Sequence, residues 1–503
     1  MPNATDFMPD DIPALQGLVA SQRHEIEHLK LLVAKLQRIQ FGRRAEPHES
    51  ADQLTLIKVP DAVAIASIPL QRNKASTPRP FNRKPLPSHL PREIERYAPS
   101  DSDCPQCGGS LNAIGEDVSE VLEYIPARFK VVQQVRPKFS CSCCQTLHQA
   151  PAPERPIARG LAGPGLLAQV LVSKYADHLP LYRQSRIYAR DGVDLSRSTL
   201  ADWVGQCSTL LSPLVEAIRR HVLAGNTLHA DDTPVPVLSP GNGKTKTGRF
   251  WTYVRDERPA GSEIPPAVWF AYSPDRKGKH PQTHLQPYRG AIHADGYAGF
   301  NALYDEQRIE VACWAHVRRK FYDIHQAQAS PLAATALNFI QQLYGIEKTI
   351  RGEPPDSRKR IRQSRAGPLL KQLHQWLHST LTQVSRKSAL AEAIRYALVR
   401  WSALTQYRDN GSLEMDNNAA ERALRGVALG RKNYLFVGSN AGGERAAIAY
   451  SLIGTVHLNG LDPFHYLKDV IGRITSHPIN RIDELLPWHD SMQRTLDCTD
   501  QVA

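Results

Sequence analysis

The sequence predicts a multidomain α/β protein, in which an α/β core split by a helical insertion follows a coiled coil, a zinc-ribbon-like module and a helical region. Three observations carry this prediction. The N-terminal apolar residues repeat in heptads. Five cysteines gather in two short clusters. Beyond Leu223 the chain turns to β-branched and aromatic runs, two of which carry the tripeptide His-Ala-Asp.

With 503 residues the chain exceeds one ordinary domain and can bury several cores. Its net charge of +12 points to a polyanionic partner, most simply nucleic acid. No apolar run reaches the roughly 18–20 residues needed to span a bilayer, and no signal-peptide pattern opens the chain. The expected setting is therefore cytoplasmic, with no membrane partner.

In residues 10–42, Ile12, Val19, Ile26 and Val33 occupy one seam position and Leu15, Leu29 and Leu36 the other. β-Branched residues at the first position with Leu at the second favour a parallel two-stranded coiled coil, hence a homodimer. Gln22 and Gln40 interrupt the seam, where a buried polar residue sets register. An amphipathic helix packed on its own chain is the alternative. Residues 43–99 are rich in Pro and carry Arg79, Arg83, Lys84 and Arg92, the pattern of an extended basic linker.

Residues 100–150 hold Cys104-Pro-Gln-Cys107 and Cys141-Ser-Cys-Cys144. Clustered pairs in a reducing compartment indicate metal rather than disulfides, and two knuckles can set four thiolates around Zn²⁺. The expected ligands are Cys104, Cys107, Cys141 and Cys144, with Cys143 able to replace either neighbour. The stretch from Val121 to Phe139 supplies strands between the knuckles. Residues 155–215 read as helices around a turn at Gly192, the last opened by Ser196, Arg197, Ser198 and Thr199. A helix-turn-helix-like DNA-binding region, whose helix start meets phosphates or base edges, fits this pattern. So does a plain helical connector.

Within residues 222–325, strands are expected over Thr227–Leu238, Gly248–Val254, Ala267–Tyr272, Gly290–Asp295 and Ile309–Trp314. A short helix falls near Gln282–Tyr288 and a basic helix starts at Val317. Three strands, a helix, then strand–helix–strand is the order of a ribonuclease H-like core. In that layout Asp231 and Asp295 lie on neighbouring strands. Taken singly, either Asp is more simply a turn or cap residue. Paired in this way, they can aim their carboxylates into a shared cleft, where a hard cation needs oxygen ligands.

Residues 326–410 are rich in Leu, Ala, Gln and Arg without strand patterning, and read as a helical insertion. Their Arg358–Arg365 run faces DNA or forms a solvated helix face. The core resumes over residues 411–475, with Asp416-Asn-Asn-Ala-Ala-Glu421-Arg-Ala-Leu-Arg425 at a helix start; residues 476–503 form a tail. Asn418 and Glu421 have the spacing of a capping box. Arg425 lies one turn beyond Glu421, where a cation would sit beside a carboxylate. Arg431 and Lys432, with the Gly-rich segment after Gly438, suit close approach by a DNA backbone. Cys313 and His316 have Cys-x-x-His spacing but no second pair, which favours structural roles. Beside them, His316, Arg318 and Arg319 are placed to touch DNA near the acids.

Taken in order, Phe41-Gly-Arg-Arg-Ala-Glu, the cysteine knuckles, His229-Ala-Asp-Asp-Thr-Pro-Val, Ala294-Asp-Gly-Tyr-Ala-Gly-Phe, Cys313-Trp-Ala-His-Val-Arg-Arg-Lys-Phe and Asp416-Asn-Asn-Ala-Ala-Glu-Arg cover nearly the whole chain. This chain resembles the DDE transposases of the insertion sequence 66 family, TnpC type. The resemblance implies phosphodiester cleavage and strand transfer at terminal inverted repeats, with those repeats and target DNA as partners. Accessory proteins of the same element are further expected partners. It places the first acid at Asp231, with Asp232 as competitor, and the others at Asp295 and Glu421. Those acids would hold two Mg²⁺ or Mn²⁺ ions about 3.5–4 Å apart, with phosphate contacts at Arg425, Arg431, Lys432, Arg318 and Arg319. Two other readings share the pattern: a nuclease without strand transfer, and a DNA-binding regulator with an inactive core.

Overall fold

The computed structural model describes residues 154–489 apart from 159 and 242, together with Gln22, Glu25, Ile26, Leu29, Lys30, Phe129, Val131, Val132, Met492 and two short strands. The chain divides into two compact units, Met1–Leu56 with Arg136–Ala503, and Ile57–Val135. In the second unit the described residues Phe129, Val131 and Val132 are exposed. The expected coiled coil, linker and first zinc knuckle lie outside the described residues, save that Gln22, Glu25, Ile26, Leu29 and Lys30 are helical and exposed. Strands β1 (Lys138–Ser140) and β2 (Leu147–Gln149) pair antiparallel, Ser140 opposite Leu147, and bracket the Cys141–Cys144 segment in sequence. The cysteines themselves lie outside the described residues.

Three helices precede the main sheet: α1 (Pro164–Tyr175), α2 (Leu181–Arg190) and α3 (Arg197–Leu223). Proline opens α1, where its missing N–H costs nothing. The turn after α2 uses Gly192 at φ +76°, a left-handed conformation suited to glycine. Ser196 then caps α3 by accepting the Thr199 N–H at 3.1 Å. The α3 apolar stripe, including Leu200, Trp203, Cys207, Leu211, Leu214 and Ile218, is buried in the main core. This helix is thus a core element with an exposed first turn at Ser196–Ser198.

Strands β3 (Thr227–Val237), β4 (Lys246–Arg255), β5 (Ala267–Ser273), β6 (Gly290–Ala294) and β7 (Arg308–Ala312) fall at the five expected places and form one sheet in the order β5-β4-β3-β6-β7. β3, β4 and β5 run antiparallel, whereas β6 and β7 are parallel to β3. Helix α4 (Lys279–His284) lies between β5 and β6. Between β6 and β7, where a helix was expected, the chain makes a 3₁₀ segment, Ala298–Leu303. The parallel register sets Leu228 beside Ile292 and His229 beside His293. Because strand side chains alternate with period two, the two His-Ala-Asp tripeptides stand level with their His and Asp on the same face. The stacked imidazoles, 4.2 Å between centroids, show that face directly. His293 Nδ1 lies 3.3 Å from Leu228 O and its Nε2 lies 3.0 Å from Glu414 O and 3.2 Å from Glu414 N, and burial disfavours the charged ring.

After β7 the chain enters a helical block: α5 (Trp314–Gln328), α6 (Pro331–Thr349), α7 (Pro355–Ile361), a π-helical turn (Arg362–Ala366), α8 (Gly367–Gln383), α9 (Ala389–Val399) and α10 (Trp401–Asp409). It has its own apolar core around Trp314, Phe321, Ile340, Leu373, Ile394 and Leu404. Here the expectation for the Arg358–Arg365 run needs correction. Arg358 and Arg362 are buried, 1% and 0% exposed, while Lys359, Arg360 and Arg365 remain at the surface. Arg362 binds Glu347 through two hydrogen bonds of 2.8 and 2.6 Å and donates to the carbonyls of Tyr407, Asn410 and Leu413. Arg358 pairs with Glu414 and lies 3.6 Å from Glu347. Spaced four residues apart, the two guanidinium groups share one helical face, and two carboxylates compensate the charge they bury.

The chain then returns to the sheet through α11 (Asn418–Asn433), α12 (Asn440–Leu458) and α13 (Pro463–Arg473). Ser451 and Thr455 of α12 accept the backbone N–H groups of Phe270 and Val268 at 2.8 and 3.1 Å. They thereby cover the outer edge of β5, which would otherwise be free to pair with another strand. Gly454 permits that approach, since a Cβ there would meet Val268 Cγ1 at 2.6 Å. Among the described residues no helix is long and apolar enough to cross a membrane.

Two outcomes follow from these buried polar groups. Arg362→Met should destabilise the protein by about 3–5 kcal/mol, because it leaves the buried Glu347 with only the longer Arg358 contact and strips buried carbonyls of their donor; urea unfolding of wild type and variant measures the difference. Burial holds His229 near pKa 4 and His293 near 3, against 6.5 when unfolded. As pH falls below 6.5 the unfolded chain takes up protons that the folded protein excludes, so stability falls with pH until the folded values are reached. Each histidine should contribute a slope of about 1.4 kcal/mol per pH unit. A urea series between about pH 7 and 5 reads the slope, which His293→Gln should make shallower.

Candidate metal centre

Asp231 and Asp232 are adjacent in β3 and therefore point to opposite faces of the sheet. Asp232 meets Arg249 Nη1 at 2.8 Å and Arg276 Nη2 at 2.8 Å, and its carboxylate is 1% exposed. Arg276 also lies over the Tyr297 ring, 3.9 Å from its centroid, which fixes the guanidinium from the other side. Among the described residues Asp231 has no ion pair of this kind. Its Oδ1 accepts the Asp232 N–H at 2.7 Å, which favours the charged form, yet its carboxyl is pushed up to about 8. Burial is the main cause, followed by the negative charges of Asp295, Asp232 and Glu421. Asp295 and Glu421 thus both act on the Asp231 carboxyl and disfavour its charged form.

Asp295 follows the last residue of β6. Its Oδ1 accepts the Tyr297 N–H at 2.9 Å, and the turn between them requires Gly296 at φ +83°. A Cβ at Gly296 would also collide with Arg400. The helical block braces this turn: Tyr396 Oη donates to Asp295 O at 2.8 Å and Arg400 Nη2 to Gly296 O at 3.2 Å. Residues distant in sequence thus fix the backbone at the second acid.

Glu421 stands in the first turn of α11, and Asn417, fully buried, anchors the start of that helix. Asn417 Nδ2 donates to Ala230 O at 2.8 Å, and its Oδ1 accepts from His229 Nδ1–H at 3.1 Å. Its backbone N–H points to Cys313 Sγ at 3.2 Å. The Asn418–Glu421 capping box suggested by spacing is not formed. Instead Asn418 donates through N–H and Nδ2 to Asp416, at 3.1 and 2.7 Å, and Asn417 takes the cap position without a side-chain cap bond. Asp416 is itself held by Tyr344 Oη at 3.0 Å. The Glu421 carboxylate is therefore free of capping and turns to α5, with Oε2 3.5 Å from Arg319 Nη2 and Oε1 3.7 Å from His316 Nδ1.

The expected phosphate-contacting cations divide by environment. Arg319, Arg425 and Lys432 are exposed. Arg425 lies one turn beyond Glu421, but the cation at that carboxylate is Arg319. Arg318 is partly covered, with its guanidinium 5.5 Å from the Tyr322 ring. Arg431, partly buried, donates to Pro234 O at 2.5 Å and so braces β3. Sequence reasoning missed Asn417, Arg249 and Arg276. Asn417 was legible only as one of two asparagines at a helix start, and the arginines carry no motif.

Comparison with known proteins agrees along the chain. The family model described as "Transposase IS66 family" matches residues 159–445, and "IS66 C-terminal element" matches 451–488. "Zinc-finger binding domain of transposase IS66" matches 101–145, and "Transposase C of IS166 homeodomain" matches 28–94. Three similar proteins come from Sinorhizobium fredii (strain NBRC 101917 / NGR234), each described as uncharacterized. The first, y4hP, is 41% identical over 488 residues, 92% of this chain and 88% of its own length. Next, y4jD is 36% identical over 96% of this chain and 97% of its own length. The third, y4qI, is 36% identical over 95% and 92%. With the principal model matching more than half of the chain and relatives matching nearly all of it, this protein belongs to the IS66 family of transposases.

Proposed function

We propose that this protein is an active DNA transposase that cleaves and joins strands at the terminal inverted repeats of its own element. Asp231, Asp295 and Glu421 are the proposed metal-holding acids. The observation that carries this reading is the β3–β6 register, which sets the two His-Ala-Asp tripeptides level on one face while Asn417 ties the Glu421 helix to it. The sheet order, three antiparallel strands followed by two parallel ones, supports a ribonuclease H-like core formed by residues 222–325 and 411–475. Residues 326–410 would be its insertion.

The donor set fits a hard divalent cation. Among the described residues Asp231 has no ion-pair partner, and burial together with the negative charges of Asp295 and Glu421 penalises its ionised form. A Mg²⁺ or Mn²⁺ ion at such a site would supply Lewis-acid polarisation and neutralise charge on the scissile phosphate. The chain's own groups would orient the reactants, Asp231 from β3, Asp295 from the turn just after β6 and Glu421 from the first turn of α11. Arg319 stands beside Glu421 as a cation for the phosphate, with Arg318, Arg425 and Lys432 along the DNA path. Arg249 and Arg276 hold Asp232 out of the acid set, which favours Asp231 as the first acid.

Outside the core, Cys104, Cys107, Cys141 and Cys144 are proposed as Zn²⁺ ligands, a role supported by the β1–β2 hairpin around the second pair. Residues 100–150 with the helical region 155–215 would read the element's ends, where the exposed start of α3 can meet phosphate. Residues 10–42 would pair two protomers, one for each DNA end, joined through the 43–99 linker. Target DNA and accessory proteins of the same element complete the proposed partners.

Asp295→Ala and Asp231→Asn should each reduce nicking and strand transfer on end-labelled repeat DNA to background, while gel-shift binding persists. Activity retained in Asp295→Ala would overturn the proposal, and cleavage without joined product in wild type would identify a nuclease instead. Stability should separate the two neighbouring aspartates in metal-free buffer. Asp231→Asn removes a carboxylate whose ionisation is penalised and should raise the unfolding midpoint. Asp232→Asn weakens hydrogen bonds to two partly exposed arginines and should cost about 1–3 kcal/mol. Mg²⁺ at about 100 times its Kd should stabilise wild type by about 2.7 kcal/mol and leave Asp295→Ala nearly unchanged.

A further inference from the structure

We propose that Cys313, His316 and Glu421 form a separate three-ligand site for a soft divalent cation of the Zn²⁺ class, and that filling it withdraws Glu421 from the Asp231–Asp295 pair. Cys313 ends the segment after β7, and His316 lies in the first turn of α5, so Cys-x-x-His spacing puts both donors at one helix start. The second ligand pair missing from the sequence is partly replaced in the fold by Glu421, delivered from α11. Sulfur, imidazole nitrogen and carboxylate oxygen all lie within 4.8 Å of one another.

An independent observation points to a ligand there. His316 Nδ1 and Glu421 Oε1 are both buried atoms without a hydrogen-bond partner, and they face each other at 3.7 Å. Two unsatisfied polar atoms beside a buried thiol call for an explanation, and a shared cation satisfies all three donors at once. The donor chemistry selects the metal: thiolate and imidazole suit Zn²⁺, whereas Mg²⁺ takes oxygen ligands and keeps its waters. Arg319 approaches the other carboxylate oxygen, Oε2, and leaves Oε1 for the cation. On binding, the Cys313 thiol releases its proton to solvent, and the Asn417 N–H at 3.2 Å donates to the resulting thiolate.

The cation binding stands on these residues alone; the consequence for Glu421 rests on the function proposed above. Zinc content of full-length protein after equilibrium dialysis tests the first part. Cys313→Ser and His316→Asn should each carry one zinc fewer than wild type, and a Cys104→Ser/Cys107→Ser variant should keep the zinc that they lose. Cobalt loaded into a variant carrying Cys104→Ser, Cys107→Ser, Cys141→Ser, Cys143→Ser and Cys144→Ser should show a sulfur-to-metal charge-transfer band that vanishes when Cys313→Ser is added. His316→Asn, at a partly exposed position, keeps the test decisive if the buried Cys313→Ser fails to fold. Unchanged zinc content in His316→Asn, or no such band, overturns the site. For the second part, zinc should inhibit Mg²⁺-dependent cleavage in wild type and markedly less in His316→Asn. Equal inhibition overturns the competition for Glu421. Cleavage absent from zinc-free wild type with Mg²⁺ instead counts against the transposase reading and leaves the zinc site standing.

Discussion

The buried side chain of Asn417 is the constraint on which the arrangement of the acids depends. The residue occupies the junction of three segments that meet only in the folded chain: β3 through its side chain to Ala230 and His229, the β7–α5 corner through its backbone N–H to Cys313, and α11, which it starts. Each of its polar groups has a partner, as a fully buried amide requires. The amide orientation also fixes the His229 tautomer, because Oδ1 can only accept. His229 in turn stacks on His293, whose ring closes the second strand against the loop at Glu414. A polar cluster that would be costly half-made thus sets the register of the two acid-bearing strands and the position of the third acid together.

The helical block between β7 and α11 serves the same end. Its length alone would seem to loosen the link between Asp295 and Glu421. Its contacts do the opposite. Tyr396 and Arg400 hold the turn at Asp295, while Arg362 binds three carbonyls in the stretch that leads towards Asp416 and Asn417. Such an interior guanidinium is stabilising only with its charge and donors satisfied, which Glu347 and those carbonyls provide. Loop-closure entropy grows slowly with length, so a long insertion with its own core is tolerated once both ends are pinned.

Several of these features are legible in the sequence and others are not, for identifiable reasons. The strands of the sheet show as β-branched and aromatic runs because both faces are covered, and β4 is buried along most of its length. The paired His-Ala-Asp tripeptides show because parallel strands in register repeat the same local demand. Misreadings arose where one residue type serves several roles. Arg358 and Arg362 looked like surface charge, since nothing local announces that Glu347 and Glu414 come to meet them. Asn418 and Glu421 matched a capping box, but Asp416 takes the asparagine and the glutamate turns away.

From the sequence by itself came the family, the order of the strands and the identities of the candidate acids, all matters of local pattern and ordered motifs. The split between Asp231 and Asp232 was beyond it, because both fit the same motif. Only the tertiary structure distinguishes their surroundings, by giving Asp232 two arginine partners on one face of β3 and placing Asp231 on the other, under the negative charges of Asp295 and Glu421. Local pattern governs which element forms. The charge environment of a side chain is set by what lies across the sheet from it, and that is a property of the packed chain.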